Sequence, residues 1–160
     1  MLIRVLMERL EELIDAQYKI ASLMLSPETK GSDLSTSTAF DVLYVNLEML
    51  DLTSNIIGMT SSVSDEYIKK YAISLGAEAL SWSGFMLTHI EKSSPIFIEY
   101  IEVENEPVTY RIKNLAYLLE NMGSKLDPFS FEEIIRTIDM VSKAIRYQIY
   151  MAKKSYETME

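Results

Sequence analysis

The side chains that could carry chemistry are scarce in this chain. Its 160 residues include one histidine, His89, and no cysteine. A di-iron site in a helical bundle needs two Glu-x-x-His pairs, but Met86 stands where the glutamate before His89 would have to be. Zinc sites made from cysteine and histidine are excluded for the same reason. The sequence therefore predicts no bound metal and no cofactor.

Sequence motifs for the common enzyme classes are absent as well. The chain has no Gly-x-Ser-x-Gly element, which marks many hydrolases, and neither of the glycine-rich patterns that hold nucleotide phosphates. A scaffold or binding protein is favoured over an enzyme.

Three residues on the third predicted helix could still form a small-molecule or catalytic pocket inside a bundle. Glu78, Trp82 and His89 are four and seven residues apart, so a helix places them near one another on one side. However, Ile68 and Leu75 precede Trp82 at the same spacing of seven, which places His89 on an apolar line. The favoured interpretation is a histidine within or at the edge of the core.

Two charged strips are candidates for contact with a partner. The acidic strip, on the second predicted helix, consists of Asp41, Tyr44, Glu48, Asp51 and Asn55. The basic strip, on the last predicted helix, consists of Arg136, Lys143, Arg146, Tyr147, Tyr150 and Lys154. The helical repeat gathers each set into one sector of its helix. The carboxylates alone lack the ligands from other elements that selective cation binding requires. The two strips either face each other within the bundle or lie outside, where opposite charges favour self-association or docking of charged partners.

The elements that must position these residues are helices. Apolar residues recur at helical spacing along most of the chain, which predicts an all-α, single-domain bundle of about five helices. The predicted helices span about residues 2–25, 39–59, 65–92, 107–122 and 128–156. Ser62 or Ser64 is expected to cap the third helix, and Asp127-Pro128 with Ser130 marks the start of the last.

Two segments do not follow the helical pattern. Residues 26–38 are rich in serine and threonine and have little to bury, so they predict a mobile loop. Residues 96–103 are strand formers, and the turn residues at 104–107 could make a short β-hairpin within residues 96–112. The alternative is a helix that begins at about Pro107, with residues 96–103 forming a short strand or a helical turn.

The charge and composition favour a cytoplasmic protein without a membrane span. Residues 71–90 have the length of a span, but Glu78 at the bilayer centre would cost about 2.5–3.5 kcal/mol. The absence of cysteine agrees with a reducing compartment.

The layout of the second half of the chain is similar to that of a known class of subunits. An apolar helix with small residues, among them Gly76 and Gly84, is followed by a capped helix that carries the basic strip. This arrangement resembles the small helical subunits of CRISPR effector complexes, without a diagnostic motif. The resemblance implies a nucleic-acid-associated subunit, whereas the net charge of −9 disfavours binding of a polyanion.

The leading functional expectation is a non-enzymatic helical scaffold that mediates protein–protein association, as a homo-oligomer or as a subunit of a larger complex. The alternatives are the nucleic-acid-associated subunit and a small-molecule binder or enzyme that uses the bundle interior.

Overall fold

The computed structural model describes residues 2–24, 36–93, 102–103, 105–122, 125 and 127–159. The helices are α1 (Leu2–Met24), α2 (Thr36–Met59), α3 (Glu66–Ser93), α4 (Val108–Met122) and α5 (Pro128–Met159). A 3-10 turn, Thr60–Ser62, follows α2, and two short strands, β1 (Glu102–Val103) and β2 (Glu106–Pro107), precede α4. The described chain is an all-α bundle with five helices, which confirms the predicted fold class.

The apolar stripe of each helix is buried against its neighbours in two groups of side chains. The smaller group joins α1, the second half of α2 and the first half of α3, and includes Leu10, Ile56 and Leu75. The larger group joins α2, α3, α4 and α5 with Ala21 of α1, and includes Leu80 and Ile138. Trp82 packs against both groups. Both α2 and α3 therefore contribute to the two parts of the core, and α3 contacts α1, α2 and α4.

Polar and aromatic contacts fix the direction of α1 relative to α3. The Tyr71 hydroxyl donates a hydrogen bond of 2.6 Å to Oε1 of Glu11, and the rings of Tyr18 and Trp82 are in contact further along the same two helices. The two helices therefore run in the same direction. The hydrogen bond to Glu11 is also the main reason that the pKa of Tyr71 is raised to about 12, because it stabilises the protonated phenol.

Two glycines let neighbouring helices approach α3 closely. A Cβ atom on Gly76 would lie 3.3 Å from Cγ2 of Thr53 and 3.5 Å from Cδ1 of Ile57, both on α2. A Cβ atom on Gly84 would lie 3.0 Å from Cγ of Lys113 on α4. The two glycines thus allow close packing on two sides of α3, and each faces a different neighbouring helix.

The N-terminal caps predicted from the sequence are wrong for α3 and agree with the structure for α5. The predicted caps of α3, Ser62 and Ser64, are wrong, because Oδ1 of Asp65 accepts the backbone N–H groups of Tyr67 at 2.9 Å and Ile68 at 3.3 Å. Ser62 instead donates its hydroxyl to the carbonyl of Met59, the last residue of α2. A carboxylate at the N-cap satisfies two N–H groups and also interacts favourably with the helix dipole.

The start of α5 agrees with its sequence signature. Pro128 is the first helical residue, and Oδ1 of Asp127 accepts the backbone N–H of Ser130 at 2.8 Å. Proline suits this position because its missing N–H would have had no helical partner.

Of the two alternatives predicted for residues 96–112, the structure contains a short hairpin up to Pro107 and a helix from Val108. Glu102 pairs with Pro107 and Val103 with Glu106 in an antiparallel hairpin, and α4 begins immediately afterwards at Val108. Asn105, in the two-residue turn, has φ of 66°, a conformation that asparagine tolerates better than most residues. Residues 94–101 lie outside the described residues.

The predicted loop at residues 26–38 is wrong at its C-terminal end. Residues 36–38 already belong to α2, because serine and threonine are well tolerated in a first helical turn even though they are poor helix formers elsewhere. Residues 26–35 lie outside the described residues. In the part of the chain that the structure describes, no helix is both long enough and apolar enough to cross a bilayer.

Candidate functional site

A groove of 880 Å³ crosses the outer face of α3 between the C-terminal ends of α1 and α4. Its floor is formed by small residues of α3, among them Ser74, Ala77 and Ser81. Tyr18 lines it from α1 and Leu119 from α4. The groove is open because these α3 side chains are small. The larger side chains of α1 and α4 on either side extend beyond them and form its walls.

Three aromatic rings stand at one part of this groove. The ring centroids of Trp82 and Tyr18 are 6.1 Å apart with an angle of 88° between the ring planes. Those of Trp82 and Phe85 are also 6.1 Å apart, at 90°. Both pairs have the edge-to-face geometry that aromatic rings prefer. Trp82 is half-buried, whereas Tyr18 and Phe85 are exposed, so the group joins the core to the solvent-facing rim.

The charged residues of the groove are mainly acidic. Glu78 lies on α3 and Glu120 on α4, and both are exposed. Lys70, about two turns before Glu78 on α3, is the base among the described residues that line the groove. The groove therefore combines an apolar, aromatic surface with two carboxylates and one ammonium group.

The structure brings together two of the three residues predicted to form a pocket. Glu78 and Trp82 line the groove. His89, seven residues after Trp82, is half-buried and is not among the described residues that line the groove. The cavity is thus an open groove on the surface of the bundle and not a chamber in its interior. Tyr18 and the α4 residues were missed, since no local pattern reveals which helices flank α3.

The acidic strip of α2 faces two other helices. Asp51 accepts a hydrogen bond of 2.7 Å from the Ser142 hydroxyl and forms an ion pair with Arg146, both on α5. Glu48 pairs with Arg9 of α1, with 2.9 Å between Nε and Oε1.

The remaining members of the acidic strip differ in their surroundings. The ammonium group of Lys153 lies 4.8 Å from the ring centroid of Tyr44, within cation–π range. Asp41 and Asn55 are exposed. Two of the strip's three carboxylates are thus engaged with basic side chains.

The basic strip of α5 is only partly turned towards α2. Arg146 lies at the flank that meets Asp51, and Arg136 pairs with Glu133 on its own helix, with 2.9 Å between Nη2 and the carboxylate. The other members, Lys143, Tyr147, Tyr150 and Lys154, are exposed. The two predicted strips therefore meet along one edge, and the rest of the basic strip faces solvent.

The exposed part of α5 forms a stripe directly opposite its buried face. We call it the tyrosine stripe; it consists of Lys143, Tyr147, Tyr150, Met151 and Lys154. A repeat of 3.6 residues places all five within a sector of about 100°, roughly opposite Ile138, Ile145 and Ile149. Tyr147 is 65% exposed, Tyr150 59% and Met151 43%. The helix thus has one apolar face in the core and a second, aromatic face outside.

Within the described residues, no cluster of three or more acidic or histidine side chains has the arrangement of a metal site. The fold and its surfaces define a class: a small all-α bundle with an aromatic groove and a solvent-facing stripe of tyrosines.

The chain belongs to a protein family whose description reads "Uncharacterized protein", and the family model matches residues 3–159. A relative from Aquifex aeolicus (strain VF5), which carries the same description, is 31% identical over 155 residues, or 97% of this chain and 95% of the relative. No solved structure matches the chain significantly. The match therefore extends over nearly the whole length of both proteins.

Proposed function

We propose that this protein is a non-enzymatic helical scaffold that associates with an acidic protein surface through the tyrosine stripe of α5, and that the surface belongs to a second copy of the chain. The observation that carries the proposal is the position of the stripe. Tyr147, Tyr150 and Met151 lie opposite the buried face of their helix, so folding of the subunit leaves them exposed.

The composition of the stripe is typical of a protein interface. Tyrosine and methionine are enriched at the centres of interfaces, because they bury a large area when they are covered. Tyr147 and Tyr150 are three residues apart, and Met151 follows at the next position of the same sector. A partner that covers this sector would bury all three side chains together.

Charge supports a second copy as the partner. Lys143 and Lys154 stand within the stripe. The outer face of α1 carries three exposed acids, Glu8, Glu12 and Asp15, beside two exposed bases, Arg4 and Lys19, so its net charge is negative. Opposite charges on two faces of one subunit favour head-to-tail contact, in which the stripe of one copy meets α1 of the next. Such a contact closes into a ring or continues as a filament, depending on the rotation between copies.

The mass of the protein in solution tests this proposal. Sedimentation of the full-length chain over a range of concentrations should reveal oligomers. Tyr147→Ser combined with Tyr150→Ser should weaken association at least tenfold, because two aromatic side chains no longer gain from burial. Tyr67→Ser combined with Tyr117→Ser is the matched control, since both tyrosines are highly exposed on other helices. A wild-type chain that remains a compact monomer at high concentration would refute the proposal.

A charge exchange tests the head-to-tail arrangement separately. Lys143→Glu with Lys154→Glu should prevent self-association, and so should Glu8→Lys with Glu12→Lys on the other face. Mixing the two variants should restore a complex, because each then offers the charge that the other has lost. If the mixture stays dissociated, the acidic face of α1 is not the surface that the stripe contacts.

We also propose that the protein is cytoplasmic. The chain has no cysteine, so neither its fold nor the proposed contact depends on an oxidising compartment.

A further inference from the structure

We propose that the groove across α3 binds a small organic cation with an apolar body, such as a molecule that carries a methylated ammonium group. This proposal is independent of the association through α5, because the groove and the tyrosine stripe are formed by different residues.

The size and lining of the groove suit a small molecule. Its volume of 880 Å³ lies in the range of known ligand sites, about 300–1,000 Å³. Ala77 and Leu119 offer apolar contact, and Ser74 and Ser81 leave room because their side chains are short. Sites of this kind combine an apolar surface with a few polar groups that select the ligand.

The aromatic rings provide the first reason to expect a cation. Tyr18 and Phe85 each stand nearly perpendicular to Trp82, so the three rings form two adjoining corners. A cation is attracted to the electron-rich face of an aromatic ring, most strongly to that of tryptophan. Groups of two or three such rings are the usual means of recognising methylated ammonium groups.

The carboxylates provide the second reason. Glu78 and Glu120 line the groove from two different helices, and Lys70 is the one base among the described residues that line it. Their charges attract a cation that is seated at the rings and repel an anion, and the net charge of −9 on the chain acts in the same direction. A neutral apolar molecule would fill the same space without using the carboxylates.

Trp82 is the only tryptophan in the sequence, so its fluorescence reports directly on the groove. The probe is benzyltrimethylammonium, compared with neopentylbenzene, which replaces the charged nitrogen by carbon, and with phenylmethanesulfonate, an anion of similar size. The cation should change Trp82 fluorescence and raise the melting temperature. It should bind at least tenfold more tightly than either comparison molecule. Equal affinity for the cation and its neutral analogue would overturn the proposal, and so would the absence of any change at millimolar concentrations of the cation.

Variants then test the residues. Glu78→Gln with Glu120→Gln should weaken binding of benzyltrimethylammonium by about three- to tenfold, the effect of two partly exposed charges. Asp41→Asn with Glu132→Gln removes two exposed acids outside the groove and serves as the control of equal charge change. If both pairs of substitutions have the same effect, the groove carboxylates do not select the cation.

A filling variant tests the location. Ser74→Leu with Ser81→Leu should abolish binding while the melting temperature of the protein without probe stays close to that of the wild type, because both serines are exposed. Binding that persists in this variant would show that the cation occupies another site. Sedimentation of the same samples measures self-association, so each proposal can fail without the other.

Discussion

At the scale of single residues, a carboxylate holds the start of the longest helix. The backbone N–H of Ser130 donates to Oδ1 of Asp127, and this contact is the main reason that the pKa of Asp127 lies below its ordinary value of 3.8. The ionised carboxylate is favoured in the folded state because it accepts N–H groups that otherwise lack a helical partner. Its contribution to stability is therefore present above pH 3.8 and is lost as the pH falls through the lowered pKa.

Substitutions of Asp127 should distinguish the stability that comes from capping the helix from the part that depends on ionisation of the carboxylate. Asp127→Asn keeps a side chain that caps helices well but does not ionise, so the melting temperature of the wild type should fall relative to this variant below pH 3.8. Asp127→Ala should be less stable than both at neutral pH because it removes the cap. Thermal unfolding followed by circular dichroism measures all three, with Asp41→Asn on α2 as the control for loss of an exposed acid without a cap. A constant difference between wild type and Asp127→Asn across this pH range would contradict the assignment.

A buried amide is the second feature at this scale. Gln17 of α1 is fully buried, and neither its Oε1 nor its Nε2 has a hydrogen-bond partner within the described protein. Gln17 follows Leu10 and Leu13 at helical spacing, on the apolar side of α1, where a glutamine is unexpected. A buried polar group without a partner costs about 1–3 kcal/mol relative to one that is satisfied.

Gln17→Met should therefore raise the free energy of unfolding by about 1–2 kcal/mol, because methionine has a similar shape and no amide to satisfy. Chemical denaturation measures the change. Gln148→Met on α5 is a useful comparison, since Gln148 is only half-buried and should show a smaller effect. A loss of stability in Gln17→Met would mean that the amide is satisfied in solution and contributes to the packing of α1.

At the scale of elements, the sequence predicts the helices well and their neighbours poorly. The core stripe of α5, with Ile134, Ile138 and Ile145, follows from apolar spacing alone, and the structure buries all three. The groove could be predicted only in part, because Glu78 and Trp82 share one helix whereas Tyr18 comes from another. Contacts between distant segments depend on packing, and a hydrophobic period does not specify which helices become neighbours.

The glycines of α2 and α3 give a test of helix packing. A Cβ atom on Gly58 would meet Cδ1 of Ile135 at 3.7 Å, an ordinary contact, so Gly58→Ala should stabilise the protein by about 0.5 kcal/mol through helix propensity. Gly76→Leu should instead destabilise it by about 1–3 kcal/mol, because Thr53 already lies 3.3 Å from the position of a Cβ atom. Denaturation midpoints measure both. Tolerance of leucine at position 76 would show that α2 and α3 are not held in close contact there.

At the scale of the whole molecule, the distribution of charge separates a protein partner from a nucleic acid. The net charge is −9, and the structure uses part of the basic strip internally: Arg146 pairs with Asp51, and Arg136 with Glu133. Lys143 and Lys154 remain as exposed bases beside the tyrosines. Two lysines are enough to orient an acidic protein surface. They are too few to bind a nucleic acid tightly, because that affinity depends on the number of phosphates that basic side chains neutralise.

This difference predicts a shallow dependence of any nucleic acid binding on salt. With about two phosphate contacts to single-stranded RNA, the slope of log K against log salt should be about −1.4, or about a sevenfold loss between 50 and 200 mM salt. A protein with six to ten such contacts loses about three hundredfold or more over the same range. Fluorescence anisotropy with labelled RNA measures the slope, and Lys143→Glu with Lys154→Glu should remove what binding there is. A steep slope that survives this double substitution would favour the nucleic-acid-associated subunit. The phosphates would then have to contact basic side chains on another face of the protein or on neighbouring copies.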